Sequence, residues 1–211
     1  MSLFITFEGI EGSGKTTQIK ILDDILKLRG FDTVLTREPG GTVIGDQIRK
    51  ILLDSENTAM VPLCELFLYA AARAQHASII IEPALNAKKI VLCDRFTDAT
   101  TAYQGFGRGF PLELINTINS LAVRKLKPHL TFLMDCPPEI GLRRARERIT
   151  LLEKTSSEDR FENEALAFHE KVREGYLTIA RAEPERVIII DVNQDVEAVH
   201  QEIVKNVLRF L

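Results

Sequence analysis

Gly9-Ile10-Glu11-Gly12-Ser13-Gly14-Lys15-Thr16 follows the spacing G-x-x-x-x-G-K-[ST], a pattern that cradles phosphates. The glycines permit positive φ and close approach, so successive backbone N–H groups can aim at a β- and γ-phosphate. A helix beginning near Lys15 adds the positive end of its dipole. Lys15 is then expected to reach between the two phosphoryl groups, the Thr16 hydroxyl to ligate Mg²⁺, and Thr17 to support them. A glycine turn joining strand to helix is the plain alternative. An apolar run before the pattern and a helical one after it favour the cradle. GTPase, ATPase and kinase chemistry all stay open at this step.

Three further residues follow apolar runs that read as strands: Arg37, Asp94 and Arg95. Asp94 either holds the metal, directly or through water, or caps the next helix. Arg37 and Arg95 share an edge with the phosphate loop if the strands are parallel, because ligands of open α/β sheets gather at the carboxyl ends of strands. One triphosphate already has the loop, Lys15 and Mg²⁺. Two more arginines therefore point to a second anion, most simply a phosphate on the acceptor. Such a phosphate is mostly a dianion at neutral pH and needs little help from a general base. Arg37 read alone is also a surface charge beside the turn Glu38-Pro39-Gly40-Gly41.

The elements that must position these groups are written as short apolar runs alternating with helical patterns, as in a parallel α/β sheet. Strands are expected at 3–8, 33–36, 90–94, 130–135 and 187–191. Their near-continuous apolar character suits a five-stranded parallel sheet with helices on both faces. Helices are expected at 15–28, 45–53, 63–81, 112–125, 138–147, 162–181 and 196–210. No repeat or linker divides the 211 residues, so residues 1–211 read as a single domain.

A net charge of −3 argues against a general nucleic-acid binder. No run approaches membrane-spanning length, and the N-terminus lacks a charged leader pattern. Cys64, Cys93 and Cys136 are odd in number and never form a CxxC pair, as in a reduced, cytoplasmic protein. His76, His129, His169 and His200 have no metal-ligand spacing and read as structural or surface residues. The apolar stretch from Leu63 to Ala72 exceeds what a monomer surface comfortably exposes, which predicts a homodimer interface. Phe67 reads as core or interface.

Taken together, several motifs resemble bacterial thymidylate kinases. They are the loop with Glu11, Thr36-Arg37-Glu38-Pro39-Gly40-Gly41-Thr42, Tyr69-Ala70-Ala71-Ala72-Arg73-Ala74-Gln75-His76, Asp94-Arg95-Phe96, Ala102-Tyr103-Gln104-Gly105 and Gly107-Arg108-Gly109. Pro138-Glu139, Asp159-Arg160-Phe161-Glu162, Phe168-His169 and Gly175-Tyr176-Leu177 extend the likeness over nearly the whole chain. The resemblance implies transfer of a phosphoryl group from ATP to dTMP, giving dTDP, with Mg²⁺ as cofactor and a homodimer as the assembly.

It implies an acceptor-side role for Glu11, beside the sugar 3′-hydroxyl, and a base contact from Arg73. Tyr69 would stack on the base where the family more often has Phe, with a core tyrosine as the alternative. Tyr103 would crowd the sugar 2′ position, and Thr100 and Gln104 would contact the acceptor. Arg144, Arg146 and Arg148 would supply from a lid at about 143–160 the positive charge that Gly12 and Ser13 do not. Taken without the resemblance, those arginines read as a solvated helix face. The stretch 149–158 departs from the usual family lid, which runs through glycine into Asp-Arg. The loop near Asn193 is a guess for adenine.

Two other readings compete. Another nucleoside monophosphate kinase or a deoxynucleoside kinase would share the donor site. A nucleotide-controlled GTPase switch would need a guanine-reading Asn-Lys-x-Asp, which the sequence lacks.

Overall fold

A computed structural model describes residues 2–151 and 160–211 of the chain. Five strands form one sheet: β1 (Leu3–Glu8), β2 (Thr33–Arg37), β3 (Ile90–Asp94), β4 (Leu130–Asp135) and β5 (Val187–Asp191), in the order β2-β3-β1-β4-β5. Every pairing is parallel, as the apolar runs predict. Side chains alternate across the sheet. Leu3, Ile5 and Phe7 of β1 join one core cluster, whereas Phe4 joins another with Val91, Cys93 and Phe96. Both faces are covered, so these strands read as nearly continuous hydrophobic sequence.

The helices are α1 (Lys15–Leu28), α2 (Val43–Leu53), α3 (Pro62–His76), α4 (Glu82–Asn86), α5 (Thr97–Thr100), α6 (Leu112–Val123), α7 (Pro138–Leu151), α8 (Leu166–Ala182) and α9 (Val196–Val207). Their starts follow local chemistry. The Thr42 and Asp195 side chains accept from the Gly45 and Ala198 amides, three residues on in each case, and Pro62 opens α3 where no amide hydrogen is needed. Ile19, Leu22 and Leu26 give α1 the buried face it lays on the sheet.

Several expected boundaries shift. The helix expected over 63–81 is α3 followed by a π-helical segment, Ala77–Ile81, that runs into α4. The helix expected to begin at 162 begins at Leu166, after a turn. A segment that none of the expected helices covers is itself helical: α5 continues into a second π-helical stretch, Thr101–Gly107. Here Gly107 serves close packing, since a Cβ would lie 2.7 Å from the Phe168 ring of α8.

The register brings the chemistry to one rim. Phe7 pairs with Asp94, and Arg37 also pairs with Asp94. The residues that follow, Glu8 into the phosphate loop, Glu38 and Arg95, therefore emerge at one level. Beside them α7 abuts the loop: a Cβ on Gly12 would fall 1.9 Å from the Gly141 carbonyl oxygen, and one on Gly141 would fall 2.5 Å from the Glu11 carbonyl oxygen. Helix propensity alone makes Gly141→Ala favourable by about 1 kcal/mol. We predict the opposite sign, a loss of roughly 1 to 3 kcal/mol from overpacking together with weaker ATP binding, measured by thermal unfolding and nucleotide titration.

Candidate active site

The phosphate loop is held open by backbone that suits glycine. Gly9, Gly12 and Gly14 have φ of 135°, 68° and 89°, and Gly14 sits in the left-handed region at the start of α1. Lys15 is buried and folds back over the loop, donating to the carbonyl oxygens of Gly9 (2.9 Å) and Ile10 (2.7 Å) and to Ser13 Oγ (3.2 Å). Burial, helped by the nearby Arg95 charge, pushes its ammonium down to about 8, against the pull of Asp94, Glu11 and Glu8. Thr16 Oγ1 donates to Asp94 Oδ2 at 3.0 Å. The hydroxyl and carboxylate that the sequence nominates for metal binding are thus in contact.

Arg95 lies at the centre of the site. Its φ is 72°, a conformation that a side chain disfavours and that clusters at functional positions. Its Nη1 donates to the Gly9 carbonyl (2.8 Å) and to the Tyr176 hydroxyl (3.1 Å), and its Nη2 to Glu11 Oε1 (2.8 Å). Three of five guanidinium N–H groups are so engaged. Nε–H and one Nη2 N–H have no acceptor among the described residues. Burial opposes the Arg95 charge, but Tyr103, Tyr176, Glu11 and Asp94 outweigh it and hold the guanidinium firmly protonated.

Glu11 takes a second donor on Oε1 from the Tyr103 hydroxyl. Burial would raise its carboxyl, yet Arg95, His169, Lys15 and Tyr103 together hold it far below the usual carboxylate range. Glu8 is the contrasting case. Fully buried at the end of β1, it accepts from the Phe96 amide (2.7 Å) and the Tyr176 hydroxyl (2.8 Å). Burial, with the Asp98 charge adding, pushes it up to about 7 against Arg95 and those hydrogen bonds. Two carboxylates three residues apart are therefore driven in opposite directions by their surroundings.

The cleft is about 760 Å³ and is lined by the loop, Arg37, Tyr69, Arg73, Arg95, Thr100, Tyr103 and Gln104. The structure thus brings together the phosphate loop and every acceptor-side residue nominated from the sequence. Their availability differs. Arg37 is exposed and lies 3.7 Å from Asp46. Tyr69 is half-buried, its ring 6.3 Å from that of Phe161. Arg73 is 1% exposed and gives Nε to Glu38, Nη1 to Thr100 and Asn119, and Nη2 to the Phe96 carbonyl. At most one of its N–H groups remains for a ligand. Gln104 donates to Glu65.

Arg144 and Arg146 are exposed on α7 and do not line this cleft; Arg146 Nη2 donates to the Glu162 carbonyl. The Arg148 side chain and residues 152–159, the remainder of the expected lid, lie outside the described residues. Phe67 is 55% exposed, so the core alternative for it is wrong. His76 and His169 are fully buried and His200 nearly so, which removes the surface alternative for those three.

Sequence reasoning missed the carboxylates that hold this site. Glu38 binds Arg73 and His76. Glu65 accepts from Gln104, Arg108 and Arg160. The available signal for Glu8 was a lone carboxylate ending an apolar strand, and for Glu65 a lone one in an apolar helix.

Strand order, register and loop define a P-loop nucleotide kinase. A family model described as thymidylate kinase matches residues 7–203. The thymidylate kinase of Geotalea daltonii is 58% identical over 197 residues, covering 93% of this chain and 92% of that one. That of Pelobacter propionicus is 56% identical over 212 residues, covering 99% and 95%. The crystal structure of thymidylate kinase from Ehrlichia chaffeensis superposes with a TM-score of 0.77 at 37% identity, covering 98% of each chain. The chain belongs to the thymidylate kinase family.

The unusual Glu8 environment gives a prediction. With a folded-state value of about 7 against 4.5 ordinarily, the folded protein keeps a proton between those pH values that the unfolded chain has released. Raising pH through this window therefore removes stability. Glu8→Gln should gain on the native protein by on the order of 1 kcal/mol per pH unit between pH 5 and 7, whatever its offset at pH 5. Denaturant unfolding of both proteins across that range checks the slope.

Proposed function

We propose that the chain transfers the γ-phosphoryl group of ATP to dTMP, giving ADP and dTDP. One observation carries the reading: Arg95 reaches from the end of β3 to the Gly9 carbonyl of the phosphate loop and to Glu11, in a cleft that Arg37 and Lys15 also line. Groups suited to two anions therefore share one rim of the sheet.

The loop amides and Lys15 hold the donor phosphates. An incoming polyanion offsets the desolvation that depresses Lys15, drawing the ammonium off its carbonyl partners. The Thr16 hydroxyl and Asp94 carboxylate are hard oxygen donors in contact and suit Mg²⁺. When bound there, the ion neutralises charge on the β- and γ-phosphates. On the acceptor side, the two uncommitted N–H groups of Arg95 lie on Nε and Nη2, the edge that forms a two-pronged fork for phosphate. Arg37 adds a more exposed charge. The acceptor phosphate arrives as a dianion, so orientation and charge neutralisation carry the transfer.

Tyr69 supplies a face for the base, and the remaining Arg73 N–H one donor for a base carbonyl. Thr100 and Gln104 complete this wall, and Tyr103 with Glu11 border the sugar. Contact between α7 and Gly12 leaves no room for a basic side chain in the loop at that position. The extra positive charge then comes from the α7 arginines, Arg144, Arg146 or Arg148, within a lid at about 143–160 of one kinase domain. Such an arginine contributes roughly 10³ to 10⁵ in rate in related chemistry.

A homodimer accompanies this reading. Leu63 and Phe67 are exposed one turn apart on α3, and Leu121 is 77% exposed on α6, which packs against α3. That apolar surface is suited to a second copy. The cytoplasm is the proposed location, in keeping with three free cysteines. No described helix is long and apolar enough to cross a membrane.

The deciding experiment is ADP release with and without acceptor, comparing dTMP, dUMP, thymidine, dCMP and dGMP. The expected result is turnover that depends on acceptor and is highest for dTMP. Slow hydrolysis unaffected by any acceptor refutes the proposal. Lys15→Ala should abolish transfer, whereas Arg95→Ala should lower kcat/KM for dTMP by roughly 10²- to 10³-fold while changing ATP affinity far less. Equal losses on both sides count against the role given to Arg95. Phe67→Glu should convert the dimer to monomer in gel filtration; a native protein that already elutes as monomer refutes the assembly.

A further inference from the structure

Buried at the inner end of Glu11 is a histidine that the chemistry above does not use. His169, on α8, is fully buried. Its Nε2 lies 3.0 Å from the Phe161 carbonyl oxygen. A carbonyl only accepts, so Nε2 carries a proton. Its Nδ1 lies 3.4 Å from Glu11 Oε2. Neither of these two atoms has a hydrogen-bond partner among the described residues, and both are shielded from solvent. Were Nδ1 unprotonated, a nitrogen lone pair would face an ionised carboxylate oxygen inside the protein, with nothing to compensate either. A proton on each ring nitrogen removes the conflict, and the ring becomes a cation directed at Glu11.

The Glu11 carboxylate is thus divided between two environments. Oε1 takes Arg95 and Tyr103 at the wall of the cleft, while Oε2 points inward at His169. We infer that His169, as an imidazolium bridging the Phe161 carbonyl and Glu11 Oε2, is a positioning residue that fixes the rotation of the Glu11 carboxylate and, through Oε1, the placement of Arg95 and Tyr103 on the acceptor side. This rests on the acceptor-side reading of Glu11 given above. It also connects that carboxylate to Phe161, whose ring packs against Tyr69 and Tyr103. One imidazole therefore ties the charged wall of the acceptor site to its aromatic wall.

The two ring nitrogens can be tested separately, because an asparagine amide places its nitrogen near Nδ1 and a glutamine amide near Nε2. His169→Asn keeps a donor for Glu11 and loses the Phe161 link; His169→Gln does the reverse. Thermal unfolding of both variants first establishes that they fold. Expected is a loss of roughly tenfold or more in kcat/KM for dTMP in His169→Gln, with the KM for ATP within about twofold of native. His169→Asn should stay within about threefold of native for dTMP. Equal effects of the two variants, a native-like His169→Gln, or a parallel loss for ATP overturn the proposal.

A second readout needs no activity. In protein carrying ¹⁵N-labelled histidine at neutral pH, both ring nitrogens of His169, assigned by their loss in His169→Asn, should give the signature of protonated nitrogen. A lone-pair signature at Nδ1 overturns the proposal. Glu11→Gln separates the two levels. If it spares dTMP use, the acceptor-side reading of Glu11 has failed; if it impairs dTMP use while His169→Gln does not, only the role of His169 has failed.

Discussion

A half-buried guanidinium organises the active end of this molecule. Arg95 leaves the water-facing rim of β3 with its backbone in a left-handed turn and runs inward, where it meets the phosphate loop, Glu11 and the Tyr176 hydroxyl. Tyr176 in turn donates to Glu8, and Glu8 accepts from the Phe96 amide, next in sequence to Arg95. The circuit closes on itself through β1, β3 and α8. The Arg95 and Glu11 side chains are 17% and 11% exposed, so removing either partner leaves the other charge incompletely solvated. The unfavourable φ of Arg95 is tolerated because these contacts over-determine it.

The same design recurs around the cleft with carboxylates as hubs. Glu38, 4% exposed, receives Arg73 on one oxygen and His76 on the other, and His76 reaches on to Thr36 Oγ1 at 2.6 Å. Glu65 gathers Gln104, Arg108 and Arg160, and both arginines also lie over the Phe161 ring. Each hub joins residues far apart in sequence and leaves few donors spare. A wall built this way is stiff before any ligand arrives, since its rotamers are already fixed. It also leaves little hydrogen-bonding capacity free: a single Arg73 N–H is uncommitted.

How far the sequence revealed this follows from the range of the interactions. Strands buried on both faces announce themselves locally, and all five fall within a residue of their expected ends. The phosphate loop is a contiguous motif, and Arg37 and Arg95 are legible because a parallel sheet delivers every strand end to one rim. The hubs are not legible in this way. Glu8 and Tyr176 are 168 residues apart, and Glu65 and Arg160 are 95 apart. Residue type says that a buried carboxylate must find a donor, but not which one. The helical segment from Thr97 to Gly107 was obscured for a related reason. Glycine in a row of residues reads as a turn, whereas here it lets α8 approach: a Cβ on Gly175 would meet the Phe106 ring at 2.8 Å, reciprocal to the Gly107 contact with Phe168.

Two glycines facing each other limit what the phosphate loop itself can carry. Gly12 and Gly141 bring the phosphate loop and α7 into backbone contact, closer than any side chain at either position allows. The approach adds a second constraint on the loop beside the Arg95 hydrogen bond to the Gly9 carbonyl. It also denies the loop a cation of its own at that point. The arginines that follow Gly141 along α7 start within one turn of this contact, and the field of Arg144 already reaches Cys136 at the end of β4. Close packing and the placing of charge meet in one element: the helix that excludes a side chain from the loop at Gly12 is the helix that carries the arginines.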